Sequence, residues 1–367
     1  MIVANRAVTG HDSSAVYHPE APANADPWSR LATFTFDPLE GGVVISDPVS
    51  GRKLRIAPTV LSKLISDPEA STSGVVREKL SEVLQNKTDR PQDMQGWEKW
   101  RDREWIPSLD LHLWSRWIKP IDKTNHRAGH ERAIKEYLRS ASPMEATHPP
   151  GKVVSLDPAS RVSSERSFGE LAMRRRTMRR YSTRPTPGGL FSAWLQRGFG
   201  HVRRVRGLDL NSSYSHYLKT HGLAFDFYMI LYNVEGKQSG VYFYRPVEQD
   251  LVEVRPGDFR QEMTRMLIGQ TAPLSASWTA VFVADFPRYQ WRYRHDRGLR
   301  HLYIDAGWVG QELIWAGMQF GLGALPTPAT RDSDLCDLLK VDPCRYAPIY
   351  TLTFGQSPEA TSSPKKR

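Results

Sequence analysis

Cysteine is nearly missing from this chain of 367 residues: Cys336 and Cys344 are the whole complement, with no C-x-x-C. That excludes a disulfide framework and a cysteine zinc site. No apolar run approaches the ~20 residues needed to span a bilayer. The opening MIVANRAVTGHDSSAVYHPE has no basic segment followed by an apolar one, so a cytoplasmic protein is expected. A G-x-x-x-x-G-K-[ST] is lacking, and no G-x-G-x-x-G opens a helix after a strand, which argues against a P-loop or a dinucleotide Rossmann site. His126 and His130 lie four apart, but the residues between them lack the glutamate of H-E-x-x-H and no third ligand is obvious, so no metal is expected. Internal repeats are absent too. What is present is an ordinary globular composition, 40% apolar and 25% charged, long enough for two or three domains at ~150 residues each.

Charge is unevenly spread. Lys and Arg total 50 against 40 Asp and Glu, a net charge of +10. Residues 161–220 hold 13 of the basic and 3 of the acidic residues, which is the whole surplus. A local basic block implies a local anionic partner: nucleic acid, an acidic peptide or a phosphate-bearing cofactor. A solvated helix face is equally compatible with it.

Along the chain, polar residues 1–27 predict a disordered tail. ATFTF, GVVIS and KLRIA come next as short β-prone runs separated by the turn-rich DPLEGG and DPVSGR. PTVLSKLI and STSGVVREKLSEVL then carry helical periodicity. Strands followed by helices outline a small winged-helix-like module over 28–117. Five tryptophans between Trp97 and Trp117 are expected to pack it onto the downstream part of the chain. Residues 118–164 predict a connector, rich in proline around one helix, HERAIKEYLRS. From residue 165 to 356 the pattern is α+β. A helix running into a loop is expected at SERSFGELAMRRRTMRRYS, further helices at GLFSAWLQRGFG and GDFRQEMTRMLIGQ, and strands at AFDFYMILYNV, VYFYR, TAVFVADF and YAPIYTLTFG. LRHLYIDAGWVGQELIWAGMQFGLG reads as a long apolar helix at the centre of the domain. Residues 357–367 predict a flexible tail.

Arg175, Arg176, Thr177, Arg179 and Arg180 lie where a helix meets a loop. Guanidinium offers a planar fork of donors that suits phosphate, and a threonine hydroxyl adds another. Other conspicuous side chains have plain readings. Tyr293, Trp291 and Trp308 suit core packing, and Arg203, Arg204 and Arg206 suit a solvated face or a patch for an acidic peptide. Neither cysteine sits in an electropositive, reactive setting.

R-R-T-M-R-R-Y resembles the R-R-S-x-R-x-F opening of the nitroreductase-like FMN flavoproteins. Three further segments resemble that family in the expected order. GVYFYRPVEQDLVEVRPGD is similar to the hairpin of its SagB-type, thiazole/oxazole-dehydrogenase branch. RYQWRYRHDRGLRHLYIDAGWVGQELIWAGMQFGLG is similar to its central helix, and GLGALPTPATRDSDLCDLL with APIYTLTFG to its closing segment. The resemblance implies an α+β nitroreductase-like FMN domain over 165–356, preceded by the winged-helix-like module, which would hold a precursor peptide. It implies that Arg175, Arg176, Thr177 and Arg179 contact FMN, and that Leu325, Pro326 and Thr327 run along the flavin ring. Thr220 and His221 would match the segment that reaches the FMN of a second subunit. Arg292, Tyr293 and Arg297 fall at the family's catalytic point. There Arg292 replaces a lysine, and a guanidinium that stays protonated is a poor general base.

The expected function is therefore an FMN-dependent dehydrogenase or oxidase, a cytoplasmic homodimer tailoring a peptide-derived natural product by hydride transfer to flavin N5. Its substrate would be an azoline or amino-acid-derived group on a peptide or carrier, with an acidic leader peptide as a possible partner and no membrane or nucleic acid. The same motifs fit a reductase of dehydroamino acids. They also fit a non-catalytic flavoprotein scaffold that binds a leader peptide or a synthetase partner.

Overall fold

The computed structural model describes residues 33–37, 41–47, 52–66, 100, 103–115, 127–139, 148–160, 167–207 and 224–358. The expected amino-terminal tail, residues 359–367 of the expected carboxy-terminal one and the helical segment 71–84 lie outside the described residues. So do His126, Trp97, Trp117, Thr220 and His221. The chain divides into two compact units, Met1–Lys119 and Pro120–Arg367.

In the first unit, β1 (Thr33–Asp37), β2 (Gly42–Asp47) and β3 (Arg52–Ile56) form an antiparallel sheet in that order. Gly41, at φ 66, closes the first hairpin in a left-handed conformation that glycine adopts without strain. Val43, Ile45 and Ile56 are among its buried residues. Helix α1 (Pro58–Ser66) starts on proline, whose missing N–H costs nothing in a first turn. Helix α2 (Ile106–Trp114) is the other helix of eight or more residues among the described residues of this unit. The Lys53 ammonium lies 4.6 Å over the Trp114 ring, and Trp100 meets Trp105 edge-on at 5.9 Å.

The second unit opens with α3 (Arg127–Arg139) and β4 (Val153–Ser155), then α4 (Phe168–Arg174), α5 (Gly188–Gly198) and α6 (Gly200–Arg206). Next come β5 (Phe225–Leu231), β6 (Gly240–Arg245), β7 (Asp250–Pro256), α7 (Arg260–Met266), β8 (Trp278–Asp285), α8 (Phe286–Arg292) and α9 (Gly298–Gln319). The unit closes with β9 (Leu322–Thr327), α10 (Asp332–Leu339) and β10 (Tyr346–Gln356). Seven strands make one sheet in the order β4-β7-β6-β5-β8-β10-β9, every pairing antiparallel.

Every residue of β5 and β8 is buried, which is why both read as largely apolar runs without alternation, broken only by Asp226, Thr279 and the terminal Asp285. One face of the sheet packs on α5 and α9 through Trp194, Val309 and Leu313. The other packs on α7 and α10 through Met263, Met266, Leu335 and Leu338. Gly198 lets α5 approach α9 closely, since a Cβ there would lie 2.5 Å from Leu313 Cδ2. Part of the expected connector belongs to this unit. β4 pairs with β7, and Asp157 pairs with Lys237 at 2.6 Å.

Helix α9 is buried along one face only. Tyr303, Ile304 and Trp308 on the other are 58%, 65% and 38% exposed, so the expected central helix is half surface. Among the described residues, no helix is long and apolar enough to cross a membrane. Nor does any cluster of three metal-ligating side chains occur among them. Cys336 is buried and Cys344 exposed, both free.

Candidate functional site

The arginine loop begins where α4 ends. Ser167 and Glu170 form a reciprocal capping box at the start of that helix, which fixes its register. Arg175 leaves the helix at φ −56, ψ 122. The chain then lies along the edge strand β9. Thr177 bridges Ala324 in parallel, and the Met178 N–H donates to the Ala324 carbonyl at 2.9 Å. Met178 covers Gly323 so closely that a Cβ there would collide with its thioether. Tyr181 pins the far end: its hydroxyl lies 2.7 Å from the Met178 carbonyl and 2.8 Å from that of Thr353. Burial pushes that phenol up, so it remains a donor at neutral pH.

Two segments expected to share one ligand are thus physically joined. Arg175 is half-buried beside Tyr350 of β10. Burial raises the Tyr350 phenol, and the positive charge of Arg175 opposes that rise. The Tyr350 ring packs against α9 at Gly310, where a Cβ would lie 2.6 Å from it. Arg176 turns back, donating to the carbonyls of Met173 (3.1 Å) and Arg175 (2.8 Å). Thr177 and Arg179 are exposed. In β9, Leu325 is buried and Pro326 half-buried. The Thr327 carbonyl accepts from Thr351 Oγ1 at 2.7 Å, yet its own buried hydroxyl has no partner among the described residues. A buried orphan hydroxyl costs about 1–3 kcal/mol, so something polar is expected to meet it. An orphan donor on β9 and a half-buried arginine in the loop that docks on that strand fit the polar edge and the anionic end of FMN.

Tyr293 occupies a different station. It caps α8, its N–H donating to the Tyr289 carbonyl at 3.0 Å. Its ring is stacked on Tyr289 at 4.6 Å and on His301 at 5.5 Å, with His295 edge-on at 6.3 Å. Tyr289 itself donates to the Gly298 carbonyl at 2.8 Å. Next to it, the Arg294 guanidinium lies 3.8 Å over the Tyr137 ring of α3. Arg297 is exposed at the N-cap of α9, and the Arg292 side chain lies outside the described residues. Tyr293 packs at Gly298 and Tyr350 at Gly310. Twelve residues at ~1.5 Å each put these stations about 18 Å apart along α9. One chain alone therefore does not bring Tyr293 and the arginine loop into contact.

Helix α8 is held by buried charge. Asp285 caps it, accepting from the Arg288 N–H at 3.2 Å. Arg288 then pairs with Asp226 at 2.9 Å and with Asp285 at 3.2 Å, and Arg345 reaches Asp285 at 3.0 Å. Arg206 adds a contact to Asp226 at 3.7 Å; burial lowers its guanidinium to about 10, still charged at neutral pH.

Tyr289, His301, Tyr350 and the Asp226–Arg288–Asp285 network were not singled out from the sequence. His301, eight residues past Tyr293, falls within reach only because the turn after α8 folds back. Arg288 and Asp285 carry a legible signal, an aspartate three residues before an arginine at a helix start.

Residues 172–356, half of the chain, match the nitroreductase family. The trifolitoxin operon protein TfxC of Rhizobium leguminosarum bv. trifolii is 26% identical over 273 residues, which cover 71% of this chain and 74% of that protein. The protein MJ1384 of Methanocaldococcus jannaschii, itself named as a nitroreductase, is 25% identical over 190 residues, covering 52% of this chain and 91% of that protein. Among solved structures, one named as a nitroreductase from Anabaena variabilis superimposes with a TM-score of 0.46 at 25% identity, covering 61% of this chain. The match spans 47% of that chain, about half its length.

Proposed function

The chain belongs to the nitroreductase family, and from that premise we propose that it is an FMN-dependent dehydrogenase that tailors a peptide-derived product. The observation that carries the flavin reading is the docking of the Arg175–Thr177 loop onto β9, the strand that also holds the orphan Thr327 hydroxyl. The similarity to a protein of the trifolitoxin operon supports a role in making a natural product.

Bound FMN would supply a two-electron acceptor at N5. Arg175 would hold its anionic end by charge-assisted hydrogen bonds, and Thr327 would meet a polar ring edge. Tyr293, fixed between the Tyr289 and His301 rings, would hold or release a proton at its phenol oxygen. Arg292 and Arg297 would orient an electron-rich group of the substrate, since neither can act as a base at neutral pH.

The 18 Å between stations favours a homodimer, in which a second copy meets the exposed apolar face of α9 formed by Tyr303, Ile304 and Trp308. Tyr293 of one copy would then serve the arginine loop of the other.

Purification tests the flavin reading first. Wild-type protein should be yellow, and FMN should be released on denaturation. Arg175→Ala should weaken FMN by the ~1.5–3 kcal/mol of a charged hydrogen bond, while Arg176→Ala should cost less because its guanidinium already serves two carbonyls. Full FMN retention in Arg175→Ala would place the phosphate elsewhere.

A further inference from the structure

Gly323 of β9 and Gly355 of β10 face each other across their strand pair. Neither has a side chain, so the pair leaves a bare notch on the face of the sheet that carries Leu325. Two side chains of the arginine loop lie in it. A Cβ on Gly323 would overlap Met178 Sδ and come within 2.7 Å of its Cε, and a Cβ on Gly355 would lie 2.7 Å from Tyr181 Cγ. Met178 is half-buried and packs against the cluster that holds Tyr181 and Leu325. The two holds differ in strength. Around Tyr181 the chain is pinned three times: its hydroxyl lies 2.8 Å from the Thr353 carbonyl, its N–H donates to Ser275 Oγ at 3.1 Å, and the Ser182 N–H donates to the Gln356 carbonyl at 3.0 Å. For Arg175–Met178 the backbone pairing to β9 is at Ala324 alone among the described residues. The Met178 side chain therefore carries much of the docking there.

We propose that Met178 is an oxidation site and that its thioether latches the arginine loop: hydrogen peroxide converts it to the sulfoxide, and Arg175–Met178 then leaves β9. The source of oxidant rests on the FMN reading, since oxygen that takes two electrons and two protons from a reduced flavin becomes hydrogen peroxide beside this loop. In the step at Met178 the peroxide O–O bond breaks. One oxygen bonds to the sulfur, which loses two electrons, and the other leaves as water. The thioether fills the notch because it is flexible and apolar. The sulfoxide is polar and larger by one atom, and contacts as close as those at Gly323 leave no room for it. Burying its unpaired oxygen among apolar side chains is unfavourable as well. The consequence is feedback: accumulated peroxide loosens the grip of Arg175 on its anion until a methionine sulfoxide reductase restores the thioether.

The test treats the purified full chain with hydrogen peroxide. Mass spectrometry reads the oxygen added at each methionine, trypsin reads the loop by cleavage after Arg176 and Arg179, and absorbance reads FMN content. Oxidation of Met178 should speed loop cleavage at least tenfold and lower FMN retention severalfold, and MsrA with MsrB should reverse both. Met178→Leu keeps an apolar side chain of similar volume, so its loop should stay docked in peroxide. Met178→Gln, polar as the sulfoxide is, should open the loop without peroxide; should that variant misfold, oxidised wild type against Met178→Leu decides. Met173 is 78% exposed in α4, and Met173→Leu should respond to peroxide as wild type does. Oxidation of Met178 no faster than that of the buried Met229 and Met263 overturns the proposal. So does loop opening that persists in Met178→Leu. Yellow protein whose loop ignores Met178 oxidation would overturn the latch and leave the flavin reading standing. Colourless protein whose loop still opens on Met178 oxidation would support the latch and count against the flavin.

Discussion

Tyr293 shows how much a single side chain's surroundings change its reading. A tyrosine one residue past a helix suits packing, and its stack between Tyr289 and His301 is packing of a kind. Yet the two stacked rings hold the Tyr293 ring, and with it the phenol oxygen, in a fixed direction. The substitution Tyr293→Phe separates the two roles. It keeps the ring contacts, so the melting temperature should stay within a degree or two and FMN should be retained. If the hydroxyl handles a proton, substrate turnover should fall ~10²–10⁴-fold, the usual contribution of a general acid or base. Full turnover would make Tyr293 a packing residue. The basic loop was legible in the sequence because arginine clusters are conspicuous in any context. Which arginine turns inward was not, since Arg175 and Arg176 are neighbours with the same chemistry. Only the helix end at Arg174 decides that Arg175 is half-buried, its charge acting on Tyr350, while Arg176 folds back on carbonyls.

At the scale of elements, strands and long helices were legible from pattern. β5 and β8 announced themselves as apolar runs, and α9 as a long apolar helix. Several shorter elements did not, β9 and α6 among them, and two are instructive: β4, with three residues, and α8, with seven. Both depend on tertiary partners instead of periodicity. β4 exists because β7 offers an open edge, and α8 because Asp285, Arg288 and Asp226 meet beneath it. That ion network is where α8 is vulnerable. Asp285 is fully buried and faces two guanidiniums, so Asp285→Ala removes both a helix cap and the countercharge of Arg288 and Arg345. Loss of one partner from a buried pair typically costs about 3–5 kcal/mol. Urea unfolding of Asp285→Ala should show a midpoint shift of that size, with Tyr293 turnover falling as α8 loosens. A shift under ~1 kcal/mol would mean that Arg288 finds full compensation from Asp226 alone.

For the whole molecule, the exposed face of α9 matters most. The sequence reading buried this helix on all sides because its apolar residues run all round it, and inside one chain that reading fails at Tyr303, Ile304 and Trp308. Their exposure makes sense if the molecule is larger than the chain. Ile304→Glu places a charge at the most exposed of the three, so sedimentation should show a dimer for the wild type and a monomer for the variant. The variant should also lose turnover if Tyr293 serves the other copy. A dimer unaffected by Ile304→Glu would move the interface off this helix.

The order of strands in the sheet has a bearing on how such a protein is made. β9 has one strand neighbour, β10, and β10 is the last strand of the sheet to be synthesised although it lies inside it, between β8 and β9. While a nascent chain is still on the ribosome, β8 and β9 have no strand between them, and the loop at Thr177 has no settled edge to join. The cofactor site would then be assembled only at the close of translation, through pairings of long sequence separation that form slowly. Chains ending at residue 345 should bind no FMN and be cleaved by protease in β9, while chains ending at 358 should bind FMN and resist cleavage there. Apoprotein would thus be an early stage in the life of every copy, and flavin would act as a late inspector of completed chains.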